Sequence, residues 1–268
     1  MPLRRVAVRV SLGALAFVAA AGLAGLGARR SAATVLSGAT GAHAGQADAG
    51  DVARGAAAAD PAPAPAAADP LALATTVATR AGAVRRTLDA RSAGTYIEEL
   101  LRGRDSSLAR WPERVQRPLT VWVQPARTLD GWRPAFADRA RDAFAEWARS
   151  GVPLRFVFSA DSARADVHLT WVDRFDEPIS GKTLWARDER WWIVSADIVL
   201  ALHHRDGSPL DESAVRAIAL HEVGHLVGLD HTRDAANIMA PRVRVRDLSA
   251  ADVATARLLY SVPPGRVR

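Results

Sequence analysis

Residues 221–231 read His-Glu-Val-Gly-His-Leu-Val-Gly-Leu-Asp-His, which places imidazole and carboxylate groups at spacings suited to metal chemistry. Side chains four residues apart share one face of a helix, so His221 and His225 can direct both rings at one point. Gly228 can adopt a left-handed backbone and end that helix, which lets the chain bring His231 to the same point. Three neutral imidazoles with a fourth position open are typical of a catalytic zinc site, in which Glu222 would deprotonate a zinc-bound water as general base.

The residues around this motif are apolar almost all the way round the predicted helix, which indicates that the helix is buried. A single histidine on such a helix is more often a hydrogen-bonded core residue than a ligand. Two histidines and a glutamate buried together are costly without a partner, however, and a metal ion would offset that cost. The apolar neighbours are Ile218, Ala219, Leu220, Val223, Leu226 and Val227.

A regular pattern of strands and helices that could hold the motif begins near residue 118. Ser249, followed by Asp252 three residues on, resembles a capping box for a last helix, and Pro263-Pro264 is expected to end the fold. We predict strands at 119–123, 154–158, 165–172, 183–187 and 192–200, and helices at 134–148, 211–227 and 249–260.

The chain before residue 118 divides into three predicted segments. Residues 1–30 combine an Arg-rich start with a long apolar run, which indicates a signal peptide or an N-terminal membrane anchor and hence an extracytoplasmic protein, secreted or anchored by this segment. Residues 31–70 are rich in Ala, Gly and Pro and are predicted to be a disordered linker. Residues 71–117 are a pro-segment or an N-terminal extension, and 118–264 form the catalytic domain.

The amino-acid composition excludes several classes of function. The 268-residue chain has a net charge of +6, but its positive charge is almost all scattered Arg, so we expect a solvated basic surface and no nucleic-acid binding. The chain contains no Cys, which excludes disulfides, thiolate zinc sites and cysteine nucleophiles.

The motif at 221–231, followed by Met239 in Asn-Ile-Met-Ala-Pro, resembles the metzincin zinc proteases and, within them, the matrixins. The resemblance extends over about 118–262. It implies an α+β fold with a mixed, twisted five-stranded sheet, one antiparallel edge strand, three main helices and a cleft above a smaller C-terminal subdomain. It also implies a Met-turn at Met239 beneath the zinc, and an extended substrate paired with an edge strand formed by Thr183, Leu184, Trp185 and Ala186.

The resemblance therefore implies a monomeric zinc endopeptidase that cuts internal peptide bonds of extracytoplasmic proteins or peptides. The absence of Cys rules out the cysteine-based latency of matrixins. Asp173, Asp176 and Glu177 are candidates for a weak Ca²⁺ site, although a solvated loop is the competing interpretation. Two other functions stay open: a non-catalytic zinc-binding interaction module on the same scaffold, and a zinc hydrolase of non-protein amides.

Overall fold

The computed structural model describes residues 70–268, with side chains described from residue 75 onward. The predicted targeting segment 1–30 and the predicted linker up to residue 69 lie outside the described residues. The helices are α1 Pro70–Arg91, α2 Ile97–Gly103, α3 Pro134–Arg149, α4 Glu212–Val227 and α5 Ala250–Tyr260. The strands are β1 Ser107–Leu108, β2 Arg114–Val123, β3 Leu154–Ser159, β4 Val167–Val172, β5 Gly181–Arg187, β6 Ile193–Ala201 and β7 Gly265–Arg266.

Five of these strands form one mixed sheet in the order β3-β2-β4-β6-β5. The pairs β2–β3, β2–β4 and β4–β6 are parallel, whereas β5 runs antiparallel to β6 at one end of the sheet. This arrangement confirms the predicted α+β class with an antiparallel edge strand. The strand predicted to start at residue 119 begins earlier, at Arg114, because β2 continues past an irregularity in its pairing with β3 between Arg114 and Leu119.

The buried residues of helix α3 recur at helical spacing and therefore form one apolar face, which packs against the sheet. Phe136, Ala140, Phe144 and Trp147 are all at most 1% exposed. The indole Nε1 of Trp147 donates to the carbonyl oxygen of Leu220 at 2.8 Å, which fixes α4 against α3. The three helices expected in the catalytic domain are α3, α4 and α5.

Both ends of α4 and the start of α5 follow the capping rules. The Asp211 carboxylate accepts from the N–H of Ala214, and Gly228 ends α4 with φ of 112°, in the left-handed region. Ser249 and Asp252 form the predicted capping box at the start of α5. These caps satisfy the backbone groups that a buried helix end would otherwise leave unpaired.

The chain before residue 118 also contributes to the core. Leu88, Ile97, Leu100 and Leu108 are fully buried. Strand β1 pairs antiparallel with β7, so the chain stays structured beyond Pro263-Pro264, where the sequence suggested an end. None of the helices between residues 70 and 268 combines the length and the apolar character needed to cross a membrane.

Candidate metal centre

The structure brings the imidazole rings of His221, His225 and His231 together at the C-terminal end of α4. Their Nε2 atoms lie 3.1 Å apart between His225 and His221, 3.3 Å between His225 and His231, and 3.2 Å between His231 and His221. The first two residues are one helical turn apart, and the third follows the left-handed break at Gly228. Within residues 70–268, these three side chains form the one group of three or more potential ligands close enough to hold a metal ion.

The backbone fixes the tautomers of two rings. Nδ1 of His221 lies 2.7 Å from the carbonyl oxygen of Ile238, and Nδ1 of His225 lies 3.1 Å from that of Leu229. A carbonyl oxygen can only accept, so each Nδ1 carries the proton and each Nε2 is left with its lone pair. Such contacts orient metal-binding histidines in known metal sites.

This donor set fits zinc. Zn–N bonds of about 2.0–2.1 Å in a tetrahedral site place two nitrogen ligands about 3.3 Å apart, close to the observed spacing. Burial lowers the pKa of all three rings, that of His221 to about 4, so the neutral form is favoured. Neutral nitrogens that face each other without a proton between them repel, and a cation among them would remove that repulsion.

The carboxyl group of Glu222 is buried beside this cluster. Burial raises its pKa to about 7, while a hydrogen bond from Thr183 acts in the opposite direction. The Thr183 hydroxyl lies 2.6 Å from Oε2 of Glu222 and 3.0 Å from the Glu222 carbonyl oxygen. A Cβ on Gly181 would lie 2.5 Å from Oε1 of Glu222, so this glycine leaves room for the carboxylate. A carboxyl with a pKa near neutrality can exchange protons at physiological pH.

Thr183, Leu184, Trp185 and Ala186 all lie on β5, the strand at the end of the sheet. They pair with Ile198, Asp197, Ala196 and Ser195 of β6, respectively. The other side of the β5 backbone has no strand neighbour in the described part of the chain. Thr183 faces Glu222, and Trp185, two residues on, faces the guanidinium of Arg104, whose Cζ lies 5.2 Å from the ring centroid.

Met239 is completely buried and packs against the C-terminal part of α4 at Gly224. A Cβ on Gly224 would collide with its Sδ atom and lie 3.1 Å from the Trp147 ring, so Gly224 allows the methionine to reach the helix between His221 and His225. The Met239 carbonyl oxygen accepts from the N–H of Thr232 at 3.0 Å, which ties this turn to the residue after His231. Met239 thus lies next to the histidine cluster as an apolar support.

Two side chains that the sequence analysis did not identify form hydrogen bonds to the backbone around the three histidines. Asp252 is completely buried and accepts from the N–H of Ile238, whose carbonyl receives Nδ1 of His221. The guanidinium of Arg104 bonds to the loop between the second and third histidines. The capping-box pattern marked Asp252 only as a helix start, and no local pattern marks Arg104.

The remaining polar candidates lie apart from the cluster. Asp173 is exposed and faces His203 and Arg174, at 2.8 Å and 3.7 Å, and Asp176 and Glu177 are exposed.

Part of the chain is similar in sequence to known metalloendoproteinases. Residues 174–261 match the sequence model of the matrixin peptidases. The chain is 29% identical over 176 residues to metalloendoproteinase 2-MMP of Arabidopsis thaliana, covering 58% of this chain and 44% of the relative. It is 33% identical over 92 residues to metalloendoproteinase 1 of Glycine max, covering 32% of this chain and 28% of the relative. The chain thus spans less than half the length of these relatives.

Proposed function

We propose that the chain carries a matrixin-like metzincin catalytic domain and is a zinc-dependent endopeptidase that hydrolyses internal peptide bonds. The observation that carries the proposal is the convergence of three Nε2 atoms within 3.3 Å of one another, beside a buried glutamate. His221, His225 and His231 would hold the zinc. Bound there, zinc supplies Lewis acidity toward a carbonyl oxygen and lowers the pKa of water at the site.

Glu222 performs the proton transfers in this proposal. Its carboxylate takes a proton from the attacking water and delivers it to the leaving amine as the peptide bond breaks. Burial raises its pKa toward neutrality, which suits a group that must both take up and give back a proton. The Thr183 hydroxyl at 2.6 Å holds the carboxylate in place.

The free side of β5 is the binding surface that we propose for the substrate. Its backbone groups, which pair with no strand of residues 70–268, can pair with an extended peptide, as in other cases of strand addition. Thr183 on this strand contacts Glu222, so a peptide bound along β5 lies next to the proton-transferring group. Because backbone pairing is independent of side chains, this surface favours polypeptide over other amides.

Glu222→Gln is the test of this mechanism. The variant keeps the shape of the side chain but cannot carry protons, so zinc content and folding should be retained while kcat falls by about 10²–10⁴-fold. Zinc would be measured by atomic spectroscopy, and hydrolysis with casein and a peptide library. Glu212→Gln, at a half-buried position in the first turn of the same helix, is the control and should retain activity, because this carboxylate pairs with Arg139 and not with the histidine cluster.

The same assay separates the two other functions. A purified domain that binds one zinc and cuts nothing in the library would be an interaction module. The products of cleavage would be identified by mass spectrometry. If non-protein amides were cut in preference to peptides, the protein would be a hydrolase of non-protein amides. We propose in addition that the chain acts outside the cytoplasm, because residues 1–30 combine an Arg-rich start with an apolar segment. That the protein is a monomer stays a prediction. The Ca²⁺ site stays a prediction.

A further inference from the structure

Arg104, just after α2, holds the loop that joins the second and third histidines. Its Nη1 and Nη2 donate to the carbonyl oxygens of Gly228 and Leu229, both at 2.8 Å, and its Nε donates to Oδ2 of Asp230 at 3.1 Å. The partners are 124 to 126 residues away along the chain. One planar guanidinium therefore fixes three consecutive residues of the loop.

The next residue after this loop is His231. The backbone N–H of His231 donates to Oδ1 of Asp230 at 2.8 Å, while Arg104 holds the other oxygen of the same carboxylate. The Leu229 carbonyl that receives Arg104 also receives Nδ1 of His225. In residues 70–268, Nδ1 of His231 has no hydrogen-bond partner comparable to those of His221 and His225, so the position of this ring depends on the loop backbone.

The Arg104–Asp230 ion pair is largely shielded from solvent, with side chains 15% and 12% exposed. Asp230 is 8% exposed, and burial lowers the pKa of the Arg104 guanidinium against the opposing effect of Asp230. A buried guanidinium is costly unless its donors are paired. Its three hydrogen bonds and its stacking on Trp185 of the edge strand meet this requirement.

Other residues of the same segment contact the same region. The Glu99 carboxylate accepts from the N–H of Arg233 at 2.8 Å, two residues after His231. The Trp111 indole donates to the carbonyl oxygen of Leu226 at 2.9 Å, one residue after His225. Gly228 packs so closely on the chain that a Cβ there would lie 2.5 Å from the carbonyl oxygen of Ala109.

We propose that residues 96–111 are a permanent brace of the metal centre rather than a removable pro-segment, with Arg104 as the positioning residue for His231. The inference rests on the proposed function, because it concerns how the zinc ligands are held. Removing the segment would leave the carbonyl groups of Leu226, Gly228 and Leu229 without these partners. A segment that confers latency should be releasable without disturbing the site beneath it, and this one is bonded to the loop that carries the third ligand.

The test compares full-length protein with its Arg104→Met and Arg104→Lys variants. Methionine keeps the apolar stem but removes all donors, so zinc affinity, measured by chelator competition, should fall about 10–100-fold, as for other residues that orient ligands. Lysine should recover part of this loss, because one ammonium can reach only some of the acceptors. The visible spectrum of the Co²⁺-substituted protein should change more in Arg104→Met than in Arg104→Lys. In both variants, the factor by which kcat falls should exceed the factor by which KM rises.

Arg85→Met is the matched control. Arg85 lies on α1 and pairs with Asp89 and Glu98, at 2.7 and 2.8 Å, so its loss weakens the same N-terminal region away from the loop. Zinc affinity and the Co²⁺ spectrum should match the wild type in this variant. Wild-type affinity in Arg104→Met, or a rise in its activity, would overturn the brace alone, whereas a wild-type protein that takes up no zinc would overturn the proposed function as well.

A second measurement does not depend on how the variants fold. Intact mass and N-terminal sequencing of the active protein, isolated from the cells that produce it or from their medium, should show that residues 96–111 are retained. Active protein whose chain starts after residue 111 would refute the proposal.

Discussion

Replacing Asp252 should reveal how strongly α5 and the N-terminal segment support the metal centre. Its fully buried carboxylate accepts from the Tyr96 hydroxyl at 2.9 Å, the N–H of Ile238 at 2.9 Å and the N–H of Ser249 at 2.8 Å. Asp252→Ala would remove the acceptor of all three donors, of which those of Tyr96 and Ile238 are buried and that of Ser249 is half-buried. Each unpaired donor costs about 1–3 kcal/mol, and because such penalties on neighbours are not additive, we expect a total of about 3–5 kcal/mol.

Asp252→Asn should cost much less, about 1–2 kcal/mol, because fewer donors are lost. The amide oxygen can take the place of Oδ2 and still accept from Ile238 and Ser249. The amide nitrogen can then donate to the Tyr96 oxygen, since a phenol both donates and accepts. The predicted order of stability is therefore wild type, then Asn, then Ala, with the larger gap between the last two.

Urea unfolding of the zinc-loaded and zinc-free proteins would measure these differences. The alanine variant should also bind zinc more weakly, because the Ile238 residue released by Asp252 is the one whose carbonyl orients His221. Tyr96→Phe is the control, since it removes one hydrogen bond and leaves the Ile238 contact intact. A loss below about 1 kcal/mol in Asp252→Ala, or equal losses in the two variants, would refute the hydrogen-bond reasoning.

Two further predictions concern single contacts at the site. Thr183→Val removes the hydroxyl that lies 2.6 Å from Glu222, and kcat on a fluorogenic peptide should fall about 10-fold or more, at unchanged zinc content. Thr183→Ser should restore most of the activity, and an unimpaired valine variant would contradict the assignment. Gly228→Ala places a Cβ at a φ of 112° and 2.5 Å from the Ala109 carbonyl oxygen, so the free energy of unfolding should fall by about 1–3 kcal/mol. Thermal unfolding would measure this, with Gly94→Ala, where φ is 73° and nothing lies within 4 Å, separating the backbone strain from the close contact.

Local patterns in the sequence were enough to predict most of the elements that carry the site. Helix α4 begins after its predicted cap Asp211 and ends at Gly228, because capping and left-handed glycine are properties of a few adjacent residues. The edge strand was placed correctly from 183 to 187, but β5 starts at Gly181, where Gly and Lys give little strand signal. The rings of His221 and His225 face one point because helical periodicity alone requires it.

Contacts between distant parts of the chain could not be predicted in this way. The bond from Arg104 to Gly228 joins residues 124 apart, and that from Tyr96 to Asp252 joins residues 156 apart. Neither Arg104 nor Tyr96 carries a periodic or motif signal, since one Arg or Tyr resembles any other until the fold gives it a partner. For the same reason, the sequence left the role of residues 71–117 open.

The sequence by itself determined the residue types of the proposed metal ligands, their spacing along α4 and the turn that follows, because these depend on backbone geometry within eleven residues. Only the tertiary structure decided which groups hold that motif in place: Thr183 on Glu222, Asp252 behind His221, and Arg104 on the loop before His231. The physical reason is that burial and hydrogen bonding depend on which surfaces meet, and those surfaces come from segments far apart in the chain.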